Sequence, residues 1–90
     1  MSVPLTAEEV ARAALRILGE IAPEADVASL KPDVSFRDQM DIDSMDFLNF
    51  VIALHEALRI DIPEADYSKL SSLTGCVNYV LAMSGGEKTT

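Results

Sequence analysis

The chain has 90 residues, 49% of them apolar, and a net charge of −8; this is one domain with no room for a second core, and a chain so short buries only about 60–65% of its unfolded surface, which argues against a deep catalytic cavity. The charge argues against DNA, RNA or an anionic membrane as partner, since each needs a basic footprint, and favours partners with basic docking surfaces. No stretch approaches ~20 apolar residues and no basic region precedes an apolar run at the N-terminus, so the expectation is a cytoplasmic chain without a membrane span or secretory signal.

Thr6 opens the first helix. It is an N-cap type, and Glu9 three residues later completes a T-x-x-E capping box. Val10, Ala11, Ala14, Leu15, Leu18 and Ile21 or Ala22 recur at helical spacing, Arg12, Arg16 and Glu20 face water, and Pro23 sets the end. From Pro23 to about Asp43 the period fails. Leu30, Val34, Phe36 and Met40 are spaced apolar anchors there, which reads as a long loop pinned to the core, with one short helical turn at most.

The second helix runs from about Ser44 to Leu58. Met45, Leu48, Val51, Ile52, Ala53 or His55, and Leu58 make one broad apolar face, and Phe47, Phe50 and Leu54 widen it until little of the helix is polar. Such a helix is either central to a bundle or partly exposed to a partner. Ile60 and Ile62 read as plugs in a connector, and Pro63 opens a short third helix to about Leu70. Ser71, Ser72 or Thr74 caps a last helix whose apolar side is Val77, Tyr79 or Val80, Leu81 and Met83, before a frayed polar tail over 84–90. The fold class is all-α: a four-helix bundle, one helix short, with a long first connection and a single domain whose core spans about residues 6–83.

Ser44 sits where an acidic turn becomes the apolar second helix. It can be a helix cap, or an exposed hydroxyl for another enzyme to modify. It is not a nucleophile of this chain: the only histidine, His55, lies eleven residues on, ~16 Å along a helix, and no G-x-S-x-G elbow surrounds it. A calcium loop opening at Asp41 would need glycine at its sixth position and glutamate at its twelfth, where this chain has Asp46 and Ile52. His55 and the single cysteine, Cys76, read as structural, and one cysteine excludes a disulfide or a cysteine-based zinc site. Asp38, Asp41, Asp43, Asp46, Glu56, Asp61, Glu64 and Asp66 are opposed in their stretch only by Arg59. Such a run is either a solvated face or a one-signed field that steers basic enzyme surfaces toward Ser44.

Asp43-Ser44-Met45, with Ser35-Phe36 before it and Asp46 and a long apolar helix after it, resembles the phosphopantetheine attachment region of acyl carrier proteins. The run Val51 to Glu56, then Ile60-Asp61-Ile62-Pro63 and Leu73-Thr74 through Tyr79-Val80, also falls at that family's spacing. The resemblance implies a freestanding, non-enzymatic carrier, and the high like charge favours a monomer at low salt. Ser44 would receive 4′-phosphopantetheine from coenzyme A through a separate, magnesium-dependent phosphopantetheinyl transferase. The arm's thiol would carry acyl or aminoacyl groups between acyl-activating or acyl-transferring enzymes. Asp43, Met45, Asp46 and Glu56 would dock those partners, and a growing chain would be shielded between Leu48, Val51, Ile62 and Leu70. The alternative is an unmodified acidic interaction domain with the same fold.

Departures from the family's usual pattern bear on partner choice. Met45 replaces the usual leucine, and Asp41 and Met40 replace a glycine and a leucine. Asn49, His55 and Ala57 stand where carboxylates are common, Arg59 adds a positive charge, and Phe47 is bulkier than usual. These changes point to a dedicated carrier in a specialised lipid or secondary-metabolite pathway.

Overall fold

The structure, a computed structural model, describes residues 6–83, so the tail expected over 84–90 lies outside the described residues. Four α-helices follow in order: α1 (Ala7–Ile21), the single turn α2 (Phe36–Gln39), α3 (Ser44–Leu58) and α4 (Leu73–Met83). Two 3-10 helices, Val27–Ser29 and Glu64–Leu70, lie between them, and no strand occurs among the described residues. The all-α bundle is as expected. The first connection holds two short turns where at most one was expected, and the third helix is a 3-10 helix.

α1 starts at the capping box read from the sequence. Thr6 Oγ1 accepts from the Glu9 amide at 3.1 Å, and Glu9 Oε1 accepts from the Thr6 amide at 3.0 Å. Its core stripe is Val10, Ala14, Ile17 and Leu18; Ile17 replaces the expected Leu15, which is only half-buried. α1 packs against both α3 and α4, and α4 packs against the Glu64–Leu70 helix. Phe36, Phe50, Leu18, Leu54 and Leu70 fill the centre at full burial.

The long first connection is pinned at both ends. Phe36 enters the core edge-to-face with Phe50, their ring centroids 5.3 Å apart. The Gln39 side-chain amide accepts from the Lys31 amide at 2.9 Å and donates to the carbonyls of Lys31 and Val34. Pro32 and Asp33 close onto the start of α4: the Thr74 amide donates to the Pro32 carbonyl at 2.9 Å, and its hydroxyl donates to Asp33 at 2.6 Å. Ser72, among the expected caps, accepts from the Gly75 amide at 3.0 Å. Orphan donors of the α4 N-terminus are thus satisfied by the loop itself.

Two glycines give opposite expectations. A Cβ at Gly75 would run into the Lys69 carbonyl oxygen, so glycine here lets α4 approach the 3-10 helix. Gly75→Ala is expected to lower unfolding free energy by about 1–3 kcal/mol, as overpacking does. Gly19, inside α1, has open space around a built Cβ, so Gly19→Ala should raise it by about 0.5–1 kcal/mol through helix propensity. Urea midpoints of the two variants check both signs.

Tyr79 ties α4 to the 3-10 helix by donating to Asp66 at 2.7 Å, and Lys69 pairs with the same carboxylate at 3.2 Å. The Tyr79 hydroxyl and Lys69 hold the Asp66 carboxyl below its ordinary 3.8. Burial and then the bond to Asp66 push Tyr79 up from 10.0 to about 12. The Asp66 contribution to stability is present above its unfolded value and lost as pH falls through the lowered one. The Tyr79 contribution is present below about 10 and lost as pH rises toward about 12. Tyr79→Phe should shrink the fall in urea midpoint at both extremes.

Candidate functional site

α3 begins at a reciprocal capping box. Asp43 Oδ1 accepts from the Asp46 amide at 2.8 Å, and Asp46 Oδ2 accepts from the Asp43 amide at 3.3 Å. Asp43 is therefore the N-cap and Ser44 the first helical residue. The signal was in the sequence, an Asp three residues before an Asp at a helix start, which works like the Ser/Thr-x-x-Glu pair. Ser44 is exposed, and no hydrogen bond to its hydroxyl exists among the described residues. Loss of the cap in Asp43→Ala should cost about 0.5–2 kcal/mol in urea unfolding, and Asp43→Ser should recover most of it.

Of the residues expected around Ser44, the fold brings Asp43, Met45 and Asp46 to the same helix end, with Asp43 and Met45 exposed and Asp46 half-buried. Glu56 is exposed but stands twelve residues on, ~18 Å down the axis. Met45 is 63% exposed and Ile52 43% exposed, seven residues apart and so on one face. The broad apolar face therefore divides: Phe50, Val51 and Leu54 turn into the core, while Met45 and Ile52 stay outside with Glu56. Ile52 was not singled out for docking, because in a helix that is apolar almost all round the period loses its phase. Met83, expected on the core side of α4, is likewise 46% exposed.

His55 Nδ1–H donates to the Ile60 carbonyl where α3 ends, and Arg59 closes the helix in the left-handed region at φ 56°. Cys76 is buried, its thiol directed at the Leu70 carbonyl at 3.4 Å, and burial pushes it up to about 12, which makes it unreactive. No described residue offers Ser44 a base. Val51 and Ile62 of the expected shielding set line an open cleft with Ile52, His55, Asp61 and Tyr67, whereas Leu48 is half-buried and Leu70 is sealed in the core.

Residues 8–80 match the family described as "Phosphopantetheine attachment site". This chain belongs to that family. Three acyl carrier proteins are among its relatives. That of Acidothermus cellulolyticus is 31% identical over 78 residues, which cover 84% of this chain and 89% of the relative. That of Clostridium acetobutylicum is 35% identical over 57 residues, or 63% and 74% of the two chains. That of Rubrobacter xylanophilus is 30% identical over 56 residues, or 62% and 69%. The protein is a phosphopantetheine carrier and not an enzyme; it bears the group covalently and interacts with the enzymes that install and use it. No helix among the described residues is long and apolar enough to cross a membrane.

The α3 N-terminus fits such a group. A hydroxyl without a partner stands at the positive end of a 15-residue helix, where an attached phosphate is favoured by about 0.3–1 kcal/mol. Asp43 and Asp46 spend carboxylate oxygens on each other's amides, so their charge is held beside the hydroxyl without blocking it.

Proposed function

We propose that Ser44 is the attachment residue of the carrier, and that the carrier serves a specialised lipid or secondary-metabolite pathway. The observation that supports the attachment is the exposed Ser44 hydroxyl at the first position of α3, free of hydrogen bonds among the described residues because Asp43 does the capping. When bound, the arm supplies a thiol that holds an acyl or aminoacyl group as a thioester.

The chain's own residues have three tasks in this reading. Ser44 presents the hydroxyl, and the proton it loses on modification must go to a base of the transferase, since His55 is ~16 Å away along α3. The Asp43–Asp46 box fixes the helix start, so the backbone that carries the hydroxyl is held in place. Asp41, Asp43 and Asp46 attract a basic partner surface, with Met45 and Ile52 giving it apolar contact and Glu56 a second acidic contact farther down.

Asn49, His55 and Ala57 lie on α3 where the resemblance to acyl carrier proteins leads carboxylates to be expected, and this supports a dedicated partner set. The test loads the protein from coenzyme A with magnesium and a broad-specificity transferase. Intact mass should rise by one phosphopantetheine per chain. The loaded chain is then offered to a common fatty-acid ketosynthase and transacylase; both should use it less efficiently than their usual carrier. Equal use of the two carriers would defeat the specialised assignment.

A further inference from the structure

The residues that lead into Ser44 alternate between core and solvent. Met40 and Ile42 are 8% and 9% exposed and belong to the core, while Asp41 and Asp43 are exposed. This is the alternation of an extended chain, and the backbone agrees: Met40 lies at φ −126°, ψ 152° and Asp43 at φ −102°, ψ −174°. Arg59 is the only non-glycine residue in the left-handed region among the described residues, so the turn at Asp41 makes no demand for glycine.

Hydrogen bonds hold both ends of this stretch but not its middle. The Met40 amide donates to the Phe36 carbonyl at 2.7 Å, and the Gln39 side chain clasps Lys31 and Val34. The next tie is at Asp43, whose carbonyl accepts from the Phe47 amide at 3.0 Å and whose side chain shares the box with Asp46. Between the two, no hydrogen bond or ion pair involves Asp41 or Ile42 among the described residues. The Asp43–Asp46 box is itself open to solvent, and one of its bonds is long at 3.3 Å. What fastens the middle of the stretch to the core is therefore the Ile42 side chain, two residues before Ser44.

We infer that Ile42 is a positioning residue for the loading of Ser44: its burial keeps the start of α3 in the arrangement that a transferase engages. The inference rests on Ser44 bearing the arm. Transfer to a hydroxyl depends on where the backbone that carries it stands, and a misplacement of about 1 Å can cost on the order of 100-fold in rate. Without the anchor, Asp41 to Asp43 leave the core surface, and the first turn of α3, whose leading amides have no partner within the helix, frays. Only the folded molecules with an ordered turn are then engaged, so KM rises as the inverse of their fraction. Binding restores the arrangement, so kcat is kept. A residue that only stabilises the fold gives no such split in a fully folded sample.

The test holds coenzyme A, magnesium and a broad-specificity transferase fixed and varies the concentration of this chain, at a temperature where circular dichroism shows every variant folded. Ile42→Val and Ile42→Thr have nearly the same shape and differ by a methyl for a hydroxyl. Ile42→Val should load like the parent. Ile42→Thr, with Ile42→Ala as a second reading of the same anchor, should raise KM about tenfold, with kcat within about twofold, as for an ordered fraction near a tenth. Val10→Ala is the control. Val10 is fully buried near the start of α1, whereas Met40 and Asp41 share a hollow with Ala22 at the other end of that helix, so KM should stay at the parent's value. A parental KM in both Ile42→Thr and Ile42→Ala, a fall in kcat without a rise in KM, or an equal rise in Val10→Ala would overturn the positioning role and leave Ser44 standing. A folded parent that takes no arm on Ser44 would overturn the Ser44 reading and the positioning role with it.

Discussion

Ser44→Ala is expected to abolish phosphopantetheine loading while leaving unfolding free energy within about 0.5 kcal/mol of the parent, as for surface substitutions away from caps and cores. The two halves of this result come from different atoms. Loading needs the Ser44 oxygen. Stability needs the cap, which is Asp43, whose carboxylate accepts from the Asp46 amide at 2.8 Å. Were Ser44 the cap, its loss would cost ~0.5–2 kcal/mol. Alanine at the first helical position also has high helix propensity, so no compensating loss is expected there. Intact mass after transferase treatment and a urea titration of the same preparation read the two effects separately. A variant that stays fully loadable, or one that loses a cap's worth of stability, would contradict the assignment.

The largest stability effect should come from Phe36→Ala, at about 3–5 kcal/mol. Phe36 is 0% exposed, starts the turn α2, and meets Phe50 at 5.3 Å with an interplanar angle of 71°. Removing the ring leaves a cavity between α3 and the long connection. It also loosens the backbone tie in which the Phe36 amide donates to the Ser71 carbonyl at 2.7 Å. A domain of this size has a total stability of roughly 5–13 kcal/mol at 0.05–0.15 kcal/mol per residue, so the loss is a large share of it. Phe36→Leu keeps most of the buried area and should lose mainly the ring pair, about 0.5–1.5 kcal/mol. Denaturant midpoints in which the two variants coincide would contradict the role given to that pair.

What could be read from the chain alone follows from which interactions are local. The α1 capping box is a three-residue pattern, and Thr6 and Glu9 announce it. The two ends of α3, the proline at the start of the Glu64–Leu70 helix, and the plugs Ile60 and Ile62, 7% and 9% exposed, are likewise set by neighbours in sequence. Ser44 stood out because an acidic turn meets an apolar helix there. The Asp43–Asp46 box is equally local: carboxylates at a helix start suit its free amides and positive end, and the structure adds that the two bonds are reciprocal.

Other features depend on what the fold brings together. Ile42 is buried although nothing in its acidic surroundings marks it. Gln39 is a polar residue in a short turn, and its three bonds to the Lys31–Val34 stretch become apparent only once the connection has folded back. Met45, Ile52 and Met83 share the apolar character of their buried neighbours, and only the positions of α1 and the 3-10 helix decide which are covered. The cleft beside Asp61 and Tyr67 is likewise formed by two segments that meet in space.

The attachment claim is tested most directly by peptide mapping of the protein after reaction with coenzyme A, magnesium and transferase. Fragmentation of the peptide that spans Asp41 to Phe47 should place one phosphopantetheine on Ser44 and none on any other serine or threonine. A folded protein that remains unmodified with several transferases, or that carries the group on another residue, would contradict it.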